Sequence, residues 1–414
     1  MEPSRKISLA RSEELKHYVD DYQTTKQKIP LGLDMGHSLK QKKAKVMEVL
    51  GANPEDWEDH RWQLSQRISD VNTLSKIIPL TDREYNAIQE VEKQYRWAIS
   101  PYYASLMDPE NHADPVRMQA VPRIYEVQIE RGKEDPMAEE YTNPAGCITR
   151  RYPDRLIMNV TNECAMFCRH CQRRRNFGEH DLPQTQEILE ESIRFIQDNN
   201  EIRDVLITGG DPLTMTDDYL QWILSRIRGI NHVEIIRIGS RIPVTMPQRI
   251  THSLVEMLAH YKPLFVNTQF NHPQEITEES EKACGRLIDS GIPMGNQAVL
   301  LNGINNDKHV MKRLNHGLLQ IRVLPYYIFH AKKVKGTIHF NTSVDDGIEI
   351  MEYLRGYTSG LAIPTYIINA PGGNGKTPIL PEYIISRGRN WIMLRTWEGK
   401  VFRYENYPTQ TLQY

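Results

Sequence analysis

Cys164-Ala165-Met166-Phe167-Cys168-Arg169-His170-Cys171 places three of the chain's five cysteines on one short stretch, spaced C-x3-C-x2-C. The residues just before it, Arg155-Leu156-Ile157-Met158-Asn159-Val160-Thr161, read as a short buried strand. The cysteines therefore fall on a loop past a strand's carboxyl end, where α/β folds place their chemistry. A zinc site wants four ligands, usually as two pairs, and no second pair lies downstream. An odd cysteine cluster in a chain without a secretory signal argues against a disulfide. Electron-transfer clusters generally take four cysteines. Three thiolates would hold three irons of a 4Fe–4S cluster and leave the fourth open, or would form a structural metal knuckle.

The chain has 414 residues, an ordinary hydrophobic content and a formal charge of −2. That length supports one large domain with appendages, or two to three domains. Nothing in the charge balance points to nucleic acid or membrane partners. No apolar leader and no bilayer-length apolar run is read, and Cys147 and Cys284 stand alone, so a cytoplasmic location is expected.

Four regions are expected. Residues 1–110 form an N-terminal helical region, with Ser38 capping a helix over Leu39–Leu50. In it Lys40, Lys42, Lys43 and Lys45 form a solvated face, and Trp57, Trp62, Leu64, Ile68 and Val71 are spaced for one buried helix face. Thr81-Asp82-Arg83-Glu84 is a capping box opening a helix toward Trp97. Residues 111–150 are a proline-rich connector.

Residues 151–340 carry the core. Apolar β-rich runs recur at Arg155–Thr161, Val205–Thr208, Glu234–Ile238, Leu264–Thr268, Met294–Leu300 and Ile321–Ile328, with Thr365–Ile368 beyond. From the second to the sixth they come at roughly 30-residue intervals, as βα units require. Leu220, Ile223, Leu224 and Ile227 mark one crossover helix, and Val344 to Arg355 another. The fold class is α/β, with about six units in a partial (β/α)6-type barrel. Residues 341–414 form a C-terminal region with the last glycine-rich loop.

Polar motifs fall at the strand ends: Thr208-Gly209-Gly210-Asp211, Ser240-Arg241, Gln269-Phe270-Asn271-His272 and Asn296-Gln297. Arg151, Tyr152 and Arg155 precede the first core strand and suit a phosphate, because arginine binds phosphate oxygens bidentately. Asn369-Ala370-Pro371-Gly372-Gly373-Asn374-Gly375-Lys376-Thr377-Pro378 nearly matches a P-loop. It has Ala370 where the first glycine belongs, and Pro378 and Pro381 where a phosphate-binding helix should start. One lysine on a mobile glycine loop fits a Schiff-base lysine instead, with pyridoxal phosphate (PLP) giving the arginines a phosphate to hold.

The three-cysteine spacing resembles the radical S-adenosylmethionine (SAM) superfamily. Together with Ala370-Pro371-Gly372-Gly373-Asn374-Gly375-Lys376, Ile238-Gly239-Ser240-Arg241, Phe270-Asn271-His272-Pro273 and Pro325-Tyr326-Tyr327-Ile328, it resembles the PLP-dependent lysine 2,3-aminomutase family from about Glu55 to near Glu405. The resemblance implies an isomerase that moves an amino group from C2 to C3 through a 5′-deoxyadenosyl radical and an external aldimine. It implies that Cys164, Cys168 and Cys171 hold a 4Fe–4S cluster. Gly209, Gly210, Asp211 and Gln297 would contact SAM, and Lys376 would carry PLP. Arg151, Tyr152 and Arg155 would bind its phosphate, and Arg173 the substrate's α-carboxylate. A flavodoxin- or ferredoxin-type electron donor or a reductase, and a homo-oligomer, are also expected.

Lysine-specific members hold the distal ammonium with two aspartates. The matching positions here are Lys332 and Asn369. A unit charge pair about 4 Å apart is worth roughly 4 kcal/mol at an effective dielectric of about 20, so a sign change at this place reverses preference. The distal substrate group is therefore expected to be a carboxylate, with L-glutamate as substrate and β-glutamate as product. Lysine-type members can carry a cysteine zinc site that uses the C-terminal tail; Val401–Tyr414 has no cysteine, so the resemblance implies no zinc here.

Overall fold

The computed structural model describes residues 3–407. The end of the Val401–Tyr414 tail, on which the no-zinc expectation rests, lies outside the described residues.

A nine-stranded sheet forms the centre, in the order β1 to β9. β1 (Ile148–Arg150) pairs antiparallel with β2 (Arg155–Thr161). From β2 the sheet runs parallel through β3 (Asp204–Gly209), β4 (Ile235–Gly239), β5 (Leu264–Thr268), β6 (Met294–Leu300), β7 (Leu324–His330) and β8 (Thr365–Asn369). β9 (Lys376–Pro378) turns back antiparallel on β8. The two edge strands do not pair with each other, so the sheet is an open half-barrel.

The crossovers between these parallel strands contain the helices Gln186–Asp198, Asp217–Arg228, His252–Ala259, Glu278–Asp289, Lys308–Gln320 and Val344–Leu354. Each starts on a Ser, Thr or Asp whose side chain accepts a backbone N–H of the first turn: Thr185, Thr216, Thr251, Thr277, Asp307 and Ser343. Their apolar faces bury residues such as Leu220, Ile223, Leu224 and Ile227 against the sheet. Short crossovers to parallel neighbours leave all the strand carboxyl ends at one mouth. The parallel sheet continues through β8, past residue 340.

The N-terminal part departs from expectation in three places. The helix near residue 40 spans Gly36–Leu50, so Ser38 lies inside it rather than at its cap. The 57–71 stretch is not one helix but three, Pro54–Glu58, His60–Ser65 and Val71–Ile77. Asn53, Asp59 and Asp70 cap the three pieces, and Ile68 pairs with Ile99 in a β-bridge. A polar helix, Pro3–Thr25, precedes them and buries only Tyr22. It docks on Lys308–Gln320, where Tyr22 Oη bonds His316 at 3.0 Å and Asp21 pairs with His309 at 2.7 Å. The capping box at Thr81 forms, and its helix ends at Glu92. A second, three-stranded antiparallel sheet follows the half-barrel: β10 (Ile384–Arg387), β11 (Trp391–Arg395) and β12 (Val401–Glu405).

Candidate active site

One cavity at the strand carboxyl ends is lined by all three loop cysteines, Gly209, Gly210, Asp211, Gln297, Arg151, Tyr152, Arg155, Arg173, Lys332, Asn369 and Lys376. The sequence places these residues more than two hundred positions apart; the half-barrel brings them to one mouth.

The cysteine loop is pinned from several sides. Phe167 N–H donates to Ala98 O at 3.0 Å, and its ring stacks on Phe177 with centroids 4.4 Å apart. Arg67 donates to Cys164 O at 2.6 Å, and Arg241 Nη1 donates to Cys168 Sγ at 2.8 Å. Arg173 N–H donates to Cys171 Sγ at 3.4 Å. Burial and the Cys168 thiol push Cys171 up to about 11, and burial with Asp211 and the other two thiols raises Cys164 well above its ordinary value, so a positive group between them is needed to hold them as thiolates. Among the described residues no three His, Cys, Asp or Glu side chains converge on a single ion position. Three thiols on one loop, each lining the cavity, match the three ligands of a 4Fe–4S cluster with one open iron.

The glycine motif is packed against that loop. A Cβ on Gly209 would lie 2.4 Å from Thr161 O, and one on Gly210 2.3 Å from Glu163 O. Gly209 also has φ +131, which side chains rarely adopt. Asp211 turns its carboxylate to backbone N–H groups: Arg241 at 2.6 Å, Ile242 at 3.1 Å and Leu213 at 3.2 Å. It braces the β3 loop to the β4 loop, and burial raises it to about 6. Gln297 lies on β6, beside the register shift at Asn296.

Opposite the cysteines, the last glycine loop is a hairpin. Ala370 N–H donates to Gly375 O at 2.8 Å, and Asn369 and Lys376 are direct cross-strand partners. No helix follows the glycines, so the P-loop alternative has no phosphate-binding helix end. Lys376 N–H donates to Tyr152 Oη at 2.9 Å. The Lys376 ammonium sits 5.6 Å from the Tyr152 and Tyr327 ring centroids. Burial, with Arg237, Arg155 and Arg151, lowers Lys376 to about 8. Burial, with Arg173 and Arg151, lowers Lys332 to about 7. Lys332 Nζ has no hydrogen bond or ion pair among the described residues and lies 5.5 Å from the Phe329 ring. Asn369 Nδ2 and Arg151 Nε are buried donors without partners. Unmet donors and an excess of cations at one mouth fit anionic groups such as a phosphate and carboxylates.

Two charged residues of this cavity region escaped the sequence reading. Arg237 stands at a cavity-facing position of β4 and pairs with Asp204 at 2.8 Å. A charge inside Ile235-Ile236-Arg237-Ile238 was a usable signal, because a buried strand rarely carries one. Glu139 lies in the proline-rich connector and takes ion pairs from Arg151, Arg173 and Arg175. No local pattern marks it.

Residues 158–314 match the model of the radical SAM superfamily, and residues 351–413 that of lysine-2,3-aminomutase. Glutamate 2,3-aminomutase of Clostridioides difficile strain 630 is 60% identical over 408 residues, covering 99% of this chain and 97% of that one. L-lysine 2,3-aminomutase of Acetoanaerobium sticklandii is 49% identical, covering 85% of each chain. That of Clostridium subterminale is 49% identical, covering 84% of each. Half-barrel and three-cysteine loop together define the radical SAM class, whose members use a 4Fe–4S cluster and SAM. Within that class the chain belongs to the lysine 2,3-aminomutase family, PLP-dependent isomerases. Among the described residues no helix is long and apolar enough to cross a membrane.

Proposed function

We propose that this protein moves the amino group of L-glutamate from C2 to C3 and releases β-glutamate. The observation that carries the substrate is the pair of donors at the mouth. Lys332 Nζ, charged below its value of about 7, has no ion pair among the described residues, and Asn369 Nδ2 is a buried N–H without a partner. A distal carboxylate answers both; a distal ammonium would meet a cation and a second donor. The 60% identity to a glutamate 2,3-aminomutase supports the same reading.

When bound, cluster and SAM supply a hydrogen-abstracting radical, and PLP supplies the carbonyl that carries the migrating nitrogen. The chain's own work is holding and excluding. Cys164, Cys168 and Cys171 hold the cluster. Gly209 and Gly210, braced by Asp211, border the SAM end with Gln297. Arg151, Tyr152 and Arg155 hold the PLP phosphate. Lys376, at about 8, keeps a fraction of its amine neutral near neutral pH, as a nucleophile requires. Arg173 holds the α-carboxylate, while Lys332 and Asn369 hold the distal one. Three anchored points fix the reacting carbons beside the cluster, which is the placement such chemistry needs. A cytoplasmic location, a flavodoxin- or ferredoxin-type donor and a homo-oligomer complete the proposal.

The test is an anaerobic assay with reconstituted cluster, PLP, SAM and a strong reductant, offering L-glutamate and L-lysine separately and reading products by NMR. β-Glutamate without β-lysine is the expected outcome. β-Lysine alone would keep the aminomutase chemistry and refute the roles given to Lys332 and Asn369.

A further inference from the structure

Glu139 is an anomaly in a mouth built for anions. It is a carboxylate with a side chain only 9% exposed, set among the arginines that the proposed function assigns to anionic ligands. Its Oε1 accepts from Arg151 Nη2 at 3.0 Å and from Arg173 Nε at 3.1 Å. Its Oε2 accepts from Arg175 Nη2 at 2.9 Å. Arg173 Nη2 also lies 3.1 Å from Oε1, so the side-on face of that guanidinium is committed to Glu139. Arg173 Nη1 has no hydrogen bond or ion pair among the described residues, and Arg151 Nε is buried without one. Each arginine is thus gripped on one side and open on another.

The segment that delivers Glu139 is itself tied down. Asp135 accepts from Met137 N–H at 3.3 Å and from Glu139 N–H at 2.6 Å. Ala138 is left-handed at φ 51, a conformation that costs a residue with a side chain. Gly372 N–H donates to Pro136 O at 3.0 Å, joining this strap to the loop that carries Lys376.

We propose that Glu139 is a positioning residue: it aims Arg173 at the substrate's α-carboxylate and Arg151 at the cofactor phosphate. This deepens the function proposed above and rests on it for the two ligand groups. The three arginines hold Glu139 at about 2 against the pull of burial, so it stays ionised at working pH.

Two effects of removing this charge have opposite signs, which makes the inference testable. Glu139→Gln makes the mouth more positive, and Coulomb attraction alone would then tighten the hold on anions. Loss of aim loosens it. The positioning role requires that the second effect win.

The experiment compares anaerobically reconstituted wild type, Glu139→Gln and Glu139→Asp. KM and kcat are measured on whichever amino acid the wild type converts, and the PLP dissociation constant is read by fluorescence. Glu139→Gln is expected to raise KM about tenfold, with a smaller fall in kcat and weaker PLP binding. Glu139→Asp is expected to recover part of each. Tighter binding of substrate or PLP in Glu139→Gln would overturn the inference, leaving Glu139 as a competitor of the ligands. A fall in kcat with KM and PLP affinity unchanged would overturn it too. If the wild type converts lysine and not glutamate, the substrate reading fails, yet the same comparison on lysine still tests Glu139, because every α-amino acid carries the carboxylate that Arg173 meets. If it converts neither, an unchanged PLP dissociation constant in Glu139→Gln refutes the role and a raised one supports it.

Discussion

Replacing Lys332 by Met should weaken glutamate capture by an amount that shrinks as pH rises. Removing one partner of a desolvated charge pair costs about 2–5 kcal/mol. Asn369 still donates to the same carboxylate, so we take about 3 kcal/mol, a loss of about 150-fold in kcat/KM where Lys332 is fully charged. Burial and the facing Arg173, Arg151 and Lys376 lower Lys332 to about 7, with Glu139 acting against them. A lowered lysine is charged below its folded value and neutral above it, and kcat/KM reports the free enzyme. Lys332 is then about 90% charged at pH 6 and about 1% at pH 9. The wild-type advantage over Lys332→Met should fall from roughly 150-fold at pH 6 to about two- or threefold at pH 9.

Initial rates by NMR at pH 6, 7.5 and 9 measure that ratio. Lys376, which the proposed function gives to PLP, is the same in both proteins, so its contribution to the pH profile cancels to first order. Lys332→Arg keeps its charge throughout and should hold up better at pH 9. A ratio that stays constant with pH would refute the assignment of the titrating cation, and no loss at pH 6 would refute the ion pair itself.

Four further outcomes are expected. Lys376→Ala should abolish turnover and leave iron content intact; retained activity would sink the PLP role. Lys332→Asp with Asn369→Asp should reduce kcat/KM on glutamate by more than Lys332→Met does, because attraction becomes repulsion; kinetics on glutamate decide it. Gly210→Ala should lower iron bound per chain, since its Cβ would meet Glu163 O at 2.3 Å and push the cysteine loop aside; normal loading would contradict that packing. β-Glutamate has two constitutionally identical arms, but a site that anchors both carboxylates and the nitrogen separately distinguishes them. Label at C1 of glutamate should therefore return to C1 after reversal, and NMR signal at C5 would show that the anchors are not distinct.

Much of the half-barrel was readable because its strands bury alternate residues against the helices, and most of those residues are apolar, as along β2, β4 and β6. The expected bounds of Arg155–Thr161, Leu264–Thr268 and Met294–Leu300 coincide with β2, β5 and β6. The helices between them carry both an apolar face and a capping residue, two independent signals for one element. Where burial is weak the signal fails. β10 and β12 are exposed along their whole length, and their sequences mix charged and apolar residues without a core to impose alternation. Pro3–Thr25 is polar all round and buries one residue, so no period marks it. Residues 57–71 misled because their apolar spacing is helical, while Asp59 and Asp70 each restart the chain as a cap. Glu139 was illegible for a different reason. Its partners lie 12, 34 and 36 residues along the chain, and only the folded connector brings it to them.

Substrate choice and cofactor attachment share one piece of backbone. Asn369 ends β8 and Lys376 begins β9, and the two face each other across the antiparallel pair. Cross-strand partners put their side chains on the same face of the sheet, with Cβ atoms about 5 Å apart. The glycine loop between them takes positive φ at Gly372, Gly373 and Gly375, closing the turn without changing that register. A register slip would turn both side chains away from the mouth together. The amide at 369 is therefore held at a fixed offset from the lysine that meets the cofactor. On the proposed reading, exchange of one side chain there, with Lys332 two residues beyond β7, alters the charge offered to the substrate's far end while Lys376 keeps its place on β9. On that proposed assignment, relatives named for glutamate and for lysine can share 60% and 49% identity with one chain. On the proposed reading, the hairpin and the cysteine loop set the reaction, and two side chains beside them set the substrate.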